Sequence, residues 1–184
     1  AYSELAFNGL RCGSFLAYPG AKEVGVEFNS LSKTYGMAGA RVGFCVGNAQ
    51  VVEKLVQLKS NIDYGMFLPI QAAAIAAITG DQSCVEQTRR AYEQRARVLT
   101  SGLNRIGWTV EMPKATMFLW APLPAGYSDS RAFCLELLNR CGVLVTPGSA
   151  FGPSGEGYVR MALVQEEAAI LQAVETMAHS GLLD

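Results

Sequence analysis

The sequence has little charge, and that charge is nearly balanced. Only 17% of its 184 residues are Asp, Glu, Lys or Arg, and the formal net charge is −1. A chain without an excess of basic residues does not attract a phosphate backbone, so we expect no nucleic-acid partner. Half of the residues are hydrophobic, which indicates a packed globular protein rather than a disordered one.

Metal ligands and paired cysteines are also scarce. The single histidine, His179, has no cluster of Cys or His around it in the sequence, so we predict no metal site. The cysteines are odd in number and irregularly spaced, which indicates a reduced protein rather than a disulfide framework or a zinc site. They are Cys12, Cys45, Cys84, Cys134 and Cys141.

Long apolar runs are missing as well. Polar residues interrupt each apolar stretch well short of the roughly 20 residues that a membrane-spanning helix needs. No leader with positive charges followed by an apolar run opens the sequence. We therefore expect a cytoplasmic protein with no membrane partner.

One lysine stands between two apolar, β-branched stretches. Residues 24–29 and 41–46 each predict a β-strand, and Lys33 lies on the connection between them. We expect this connection to be a loop held by two strands, which is a common place for catalytic residues. The alternative is an ordinary solvated lysine, as most lysines are.

Small and hydroxyl-bearing residues surround this lysine. The glycines would let the backbone approach a ligand, and Arg41 offers a planar fork suited to phosphate. A lysine amine beside a phosphate site is what a pyridoxal phosphate (PLP) enzyme needs, because the amine forms a Schiff base and the phosphate anchors the cofactor. The surrounding residues are Ser30, Ser32, Thr34, Gly36, Gly39 and Gly43.

Two other lysine motifs share some of these letters. Ser30 and Lys33 match the Ser-x-x-Lys of penicillin-binding enzymes, but the chain has neither Ser-Asp-Asn nor Lys-Thr-Gly. Lys33 and Thr34 match the end of a P-loop, but the glycine-rich lead-in is missing. Neither motif is therefore predicted.

The stretch from Ser30 to Gly43 resembles the PLP-lysine motif of class I/II aminotransferases, members of the fold-type I (aspartate aminotransferase-like) superfamily. The resemblance implies that Lys33 is the catalytic Schiff-base lysine, that Ser30 and Arg41 hold the cofactor phosphate, and that Ser32 belongs to the same site. The matching residues are Ser30, Ser32, Lys33, Gly36, Met37, Gly39, Arg41, Val42 and Gly43.

The first two residues carry a weaker resemblance. Ala1 and Tyr2 match the end of the family's Asp-x-Ala-Tyr motif, whose Asp pairs with the pyridinium nitrogen and whose Tyr bonds the ring hydroxyl. Tyr2 is then a candidate cofactor ligand, and the Asp would lie just before the first residue. The alternative is a strand-end tyrosine with a buried ring and a solvated hydroxyl.

A second glycine- and proline-rich stretch, 147–157, precedes a predicted strand at 158–161 that carries Arg160. An arginine among apolar neighbours needs an anionic partner, which a structural ion pair could supply. The stretch also resembles the aminotransferase segment whose arginine binds the substrate α-carboxylate. A guanidinium suits that task because it forms two parallel charge-assisted hydrogen bonds.

The architecture implied by this resemblance is α/β: the C-terminal part of a PLP-dependent transferase fold. We expect residues 1–80 to be the end of the large PLP-binding domain, 81–106 an interdomain helix and 107–184 the small domain. Periodicity predicts further helices from Asn48 to about 61, at 70–78, from Ser128 or Asp129 to 140, and at 166–179. Short strands are predicted at 108–110, 117–120 and 143–145.

Residues 59–72 resemble a segment of the subgroup that contains LL-diaminopimelate and alanine aminotransferases. In that fold the segment crosses to the neighbouring subunit's active site, which implies a homodimer; the alternative is a plain connection between two helices. The implied reaction is PLP-dependent transamination between an amino acid and a 2-oxo acid. Carbon–sulfur lyases and aminocyclopropane-forming synthases share the pattern of Lys33, Arg41 and Arg160 and stay open as alternatives.

The resemblance covers only the C-terminal half or so of a family member. We therefore expect the 184-residue chain to be inactive alone. A non-catalytic remnant, or a fragment that needs a complementing chain, is the alternative from outside the enzymes.

Overall fold

The computed structural model describes residues 1–183, which form helices and antiparallel sheets, so the predicted α/β class is confirmed. The chain divides into two compact units, Ala1–Arg89 and the residues from Arg90 onward. The boundary falls inside one long helix, Ser83–Arg105. The assignment of 1–80, 81–106 and 107–184 to the domains of a transferase remains a prediction.

The first unit contains a two-stranded antiparallel sheet and a succession of helices. Short 3-10 turns also occur at Phe15–Ala17 and Ala38–Ala40. Its elements are α1 (Ala21–Val24), β1 (Val26–Ser30), α2 (Leu31–Thr34), β2 (Gly43–Gly47), α3 (Ala49–Ile62), α4 (Leu68–Thr79) and the start of α5 (Ser83–Arg105).

Strands β1 and β2 pair along their whole length, with Val26 opposite Gly47 and Ser30 opposite Gly43. Both lie close to the predicted ranges. The pairing is tight at Gly43, where a Cβ atom would lie 2.5 Å from the carbonyl oxygen of Asn29. Glycine is therefore required at that position by the neighbouring strand.

The helices of the first unit begin and end where capping chemistry allows. The Asn48 side chain accepts a hydrogen bond from the Val51 amide at 3.0 Å, so the predicted N-cap of α3 is confirmed. Helix α4 starts two residues before its predicted range because Pro69 fits the first turn, where no amide donor is needed. At its end, the Gln82 amide group donates to the carbonyl oxygen of Gly80 at 2.8 Å.

The second unit contains a three-stranded antiparallel sheet in the order β3-β5-β4. Helix α5, predicted at 81–106, ends at Arg105, and its buried side chains in this unit include Ala96, Leu99 and Leu103. The other elements are β3 (Phe118–Pro122), α6 (Ser130–Cys141), β4 (Thr146–Pro147), β5 (Tyr158–Ala162) and α7 (Glu167–Ala178).

The core of the second unit is built around Trp108 and Phe133. Their rings meet edge to face with centroids 5.3 Å apart, and the Trp108 indole donates a hydrogen bond to the Pro122 carbonyl at 2.8 Å. Side chains buried in this unit also include Leu119, Leu137, Val159, Leu163 and Val174. This packing fixes β3 and β5 against the helices.

The predicted strand at 108–110 was wrong. The amide and carbonyl of Val110 bond to the side-chain amide of Asn104, at 2.9 and 3.0 Å, instead of to a neighbouring strand. A hydrogen-bonding side chain at the end of α5 therefore takes the place of a sheet partner.

The predicted strand at 143–145 was also wrong, because pairing with β5 begins only at Thr146. Of the three residues predicted as a strand, Val143 and Val145 are half-buried and Leu144 is 77% exposed. Strand propensity describes how side chains fit a pleated surface, and it does not supply the partner strand.

Candidate active site

Lys33 lies in a helical turn, α2, and not in the irregular loop that the sequence predicted. Ser30 caps this turn, since its hydroxyl oxygen accepts a hydrogen bond from the Ser32 amide at 3.1 Å. Leu31 and Thr34 are buried, whereas Ser32 and Lys33 are half-buried on the other side of the turn. One helical turn therefore presents the lysine and both serines from a fixed support.

The turn that carries Lys33 packs on helix α4. Leu31, Val42 and Ala74 form a buried cluster, and the Leu31 amide donates to the Val42 carbonyl at 3.2 Å. The sequence shows that these residues are apolar, but it does not predict their contact, because Ala74 lies in a helix about 40 residues further along the chain.

Tyr35 and Gln82 are site-supporting residues that the sequence interpretation missed. The Tyr35 hydroxyl donates to the Gln82 side-chain oxygen at 2.9 Å, and Gln82 in turn caps the end of α4. Burial raises the pKa of the Tyr35 hydroxyl, with smaller contributions from Glu4 and Cys84. Tyr35 thus remains a neutral hydrogen-bond donor that ties the lysine turn to the helix.

Ser30 and Arg41 approach the same end of the β1–β2 ribbon. Ser30 pairs with Gly43 in the register, and Arg41 directly precedes Val42, which is bonded to Leu31. Arg41 has φ +54°, a left-handed conformation that is uncommon outside glycine. Its guanidinium donates to the Ala38 carbonyl at 2.9 Å and is otherwise exposed, so it can still bind an anion.

The three glycines of the motif differ in what they do. Gly36 has φ +67°, and Gly43 meets the backbone of Asn29. Gly39 has open space on its Cβ side, with nothing within 4 Å. Two of them are thus explained by the local backbone, and only Gly39 is left for the predicted role of approaching a ligand.

Tyr2 is half-buried, and its carbonyl accepts a hydrogen bond from the Leu5 amide at 2.9 Å. Leu5 and Phe7 are fully buried and anchor this first segment. Tyr2 therefore lies in an ordered turn of the same unit as Lys33.

The first unit also contains a cavity of about 820 Å³, lined by residues that include Ser30, Thr34 and Tyr35. Charged side chains of both signs, Arg11 and Glu4 among them, also line it. Lys33 is not one of its lining residues. The turn that carries the lysine lines this cavity with its buried residues Leu31 and Thr34 instead.

Arg160 lies on β5 of the second unit, where Val159 and Met161 are buried and the arginine points to the opposite, half-buried face. Its guanidinium carbon is 4.2 Å from the ring centroid of Phe118 and 4.4 Å from that of Phe151. No carboxylate among residues 1–183 forms an ion pair with it, so the alternative of a structural ion pair finds no partner there.

The loop that precedes β5 is held by close backbone contacts. A Cβ atom on Gly148 would lie 1.9 Å from the carbonyl oxygen of Gly155, which leaves room for glycine only. The Glu156 carboxylate accepts hydrogen bonds from the amides of Gly157 and Ser130, and these bonds lower its pKa. The loop is thereby fastened to the start of α6.

The chain matches the family model described as "Aminotransferase class I and II" over residues 1–176. The chain therefore belongs to the class I and II aminotransferase family, as the sequence analysis predicted. None of the helices in residues 1–183 is long and apolar enough to cross a membrane.

The similar curated proteins are aminotransferases of the predicted subgroup. The LL-diaminopimelate aminotransferase of Syntrophobacter fumaroxidans is 53% identical over 177 residues, covering 96% of this chain and 45% of that protein. The glutamate-pyruvate aminotransferase AlaC of Escherichia coli is 47% identical over 176 residues, covering 95% of this chain and 43% of that protein. The chain thus spans about half the length of the curated relatives that it matches.

Solved structures agree with this assignment. Substrate-bound BacF from Bacillus subtilis superimposes with a TM-score of 0.95 at 35% identity, covering all of this chain and 47% of that one. A probable N-succinyldiaminopimelate aminotransferase from Thermus thermophilus gives a TM-score of 0.89 at 36% identity, covering 97% of this chain and 48% of that one.

Proposed function

We propose that the full-length protein containing this chain catalyses PLP-dependent transamination between an amino acid and a 2-oxo acid, as a cytoplasmic homodimer. The observation that carries the proposal is the position of Lys33 in a helical turn that Ser30 caps, at the end of the ribbon where Arg41 also lies. This arrangement combines a primary amine with two groups that bind phosphate.

The residues present fit the cofactor. The Ser30 hydroxyl and the Arg41 guanidinium are a neutral and a cationic donor for a phosphate group. No carboxylate among residues 1–183 forms an ion pair with the half-buried amine of Lys33, so the amine is available. When bound, PLP supplies a conjugated ring that accepts electrons from the substrate Cα. Tyr2 and Ser32 are the further candidate contacts.

In this proposal Lys33 transfers a proton of the substrate and Arg160 binds its carboxylate. The Lys33 amine moves the proton of the substrate Cα as general base and then general acid. The Arg160 fork holds the α-carboxylate by two parallel hydrogen bonds, which fixes the orientation of the substrate. The protein's contribution is thus anchoring, orientation and proton transfer.

The relatives suggest the substrates and the assembly. Several are named LL-diaminopimelate aminotransferase, and one is named glutamate-pyruvate aminotransferase, so we propose that the substrates are amino acids and 2-oxo acids of that kind. Residues 59–72 would reach the active site of a second subunit. Within them, Tyr64 is 93% exposed, so its side chain is accessible to a contact outside its own unit.

The test is labelling of the lysine. Full-length protein is incubated with PLP, reduced with borohydride and digested, and the modified peptides are mapped. We expect one adduct, on Lys33, and its loss in Lys33→Ala. The matched control is Lys54→Ala, which removes an exposed lysine that donates to the Gln57 side chain on α3 and should leave the adduct intact. Labelling spread over many lysines would overturn the proposal.

Two alternatives are separated by the products. A PLP-dependent lyase or synthase of the same fold would use the same Lys33 and Arg41, but it would release ammonia and pyruvate or a cyclised amino acid instead of a new amino acid. A non-catalytic remnant would release none of these.

A further inference from the structure

The surroundings of Arg160 are aromatic. Along β3 and β5 the side chains alternate between two faces, and the register places Trp120 opposite Arg160 and Phe118 opposite Ala162. Leu119, Ala121, Val159 and Met161 form the buried face. Arg160 therefore shares the other face with a row of aromatic residues.

Two rings lie against the guanidinium, that of Phe118 on β3 and that of Phe151 in the loop that precedes β5. The distances from its central carbon to the ring centroids, 4.2 Å for Phe118 and 4.4 Å for Phe151, are well inside the limit of about 6 Å for a cation–π interaction. The rings attract the positive charge without accepting a conventional hydrogen bond. The N–H groups that a carboxylate needs are thus not consumed by the groups that hold the arginine.

The second ring is itself fixed in place. Phe151 packs edge to face on Trp120, with centroids 5.6 Å apart, and Trp120 stacks on Tyr158. The 3-10 turn Gly148–Phe151 that carries this ring is fastened at its start, since the hydroxyl groups of Ser149 and the fully buried Ser130 are bonded at 3.0 Å.

We propose that Phe118 and Phe151 are positioning residues for the substrate carboxylate, because they hold the Arg160 guanidinium in place while leaving its hydrogen-bonding edge open. An acidic neighbour would also hold the arginine, but it would neutralise the charge that must attract the substrate. The inference rests on the proposed role of Arg160 and explains how its guanidinium is held in place before the carboxylate binds.

The test compares Phe118→Leu and Phe151→Leu in the full-length, PLP-loaded protein. Each variant keeps an apolar side chain but removes a ring face, and Phe151 is half exposed, so its variant should fold. We expect KM for the amino acid to rise roughly two- to thirtyfold, the range for one cation–π contact, with kcat within about twofold of wild type. Phe151→Tyr, which keeps an aromatic ring at this position, should have a KM close to the wild-type value.

The matched control is Tyr92→Leu. Tyr92 lies under another arginine, Arg95, at 6.0 Å, and Arg95 is paired with Glu166, so its loss removes the same kind of contact elsewhere in the second unit. KM should not change. A second readout is the ratio of reactivity toward the amino acid and toward its decarboxylated amine. This ratio should fall in the two Phe→Leu variants, whereas general destabilisation would lower both reactivities together.

The outcomes separate the two proposals. If Arg160→Gln raises KM but both Phe→Leu variants leave KM and the reactivity ratio unchanged, the positioning inference is overturned and the proposed function stands. If Arg160→Gln itself leaves KM unchanged, the carboxylate role of Arg160 fails, and the inference fails with it.

Discussion

At the scale of single residues, Gly43 and Gly39 show how one motif can contain glycines with different duties. Gly43 faces the carbonyl of Asn29 across the ribbon, and Gly39 faces open space. Both belong to the stretch that resembles the PLP-lysine motif, and the letters alone do not distinguish them. Only the strand register separates a glycine required by packing from one that packing leaves free.

We expect Gly43→Ala to destabilise the full-length protein by about 1–3 kcal/mol, because the added methyl group would overlap a backbone atom that cannot move away. Gly39→Ala is the matched control and should change the free energy of unfolding by no more than about 0.5 kcal/mol. Denaturant unfolding of both variants measures the difference. Equal stability of the two variants would contradict the assigned register.

At the scale of elements, one side chain decides how the chain is held after α5. Asn104 bonds both the amide and the carbonyl of Val110, which is buried. These two hydrogen bonds hold Val110 beside the end of the helix, in place of the strand pairing that the β-branched residues predicted. The five longer helices, α3 to α7, were predicted to within about two residues, because periodicity and capping are local properties, whereas the single-turn helices α1 and α2 were not predicted.

Asn104→Ala should destabilise the full-length protein by about 1–3 kcal/mol, because it leaves two buried backbone groups of Val110 without their partner. Asn61→Ala is the control: its side chain donates to the carbonyl of the exposed residue Gln57 within α3, so a change within about 0.5 kcal/mol is expected. Unfolding midpoints report both. An Asn104 variant as stable as the control would show that the amide bridge is dispensable.

At the scale of the whole molecule, the first unit exposes apolar side chains on both faces of its two-stranded sheet. Phe28 and Phe44 lie on opposite faces, and both are exposed. A two-stranded ribbon is marginally stable without further packing. Exposed apolar surface of this kind marks a place where other protein surface belongs, which agrees with a chain that spans about half the length of its relatives.

We therefore expect the isolated 184-residue chain to show no turnover of an amino acid with 2-oxoglutarate, whereas the full-length protein should be active in the same assay. The physical reason is that Ser30, Lys33 and Arg41 anchor the cofactor but leave its pyridinium nitrogen without the Asp that the resemblance places just before the first residue. Formation of the new amino acid is followed by chromatography. Robust turnover by the isolated chain would contradict the expectation.

The sequence by itself determined the family, the α/β class and the candidate residues, because a lysine motif of fixed spacing and the periodicity of helices are both local. Ser30, Ser32, Lys33 and Arg41 were all found from a stretch of fourteen residues. Their roles, with those of Tyr2 and Arg160, remain predictions.

The tertiary structure decided what depends on contacts between distant residues. It placed Lys33 on a capped helical turn, seated that turn on α4 and tied it through Tyr35 to Gln82, 47 residues further along the chain. It also set Arg160 against Phe118 and Phe151, from two separate parts of the sequence. Such contacts follow from strand register and packing, which no local pattern of letters contains.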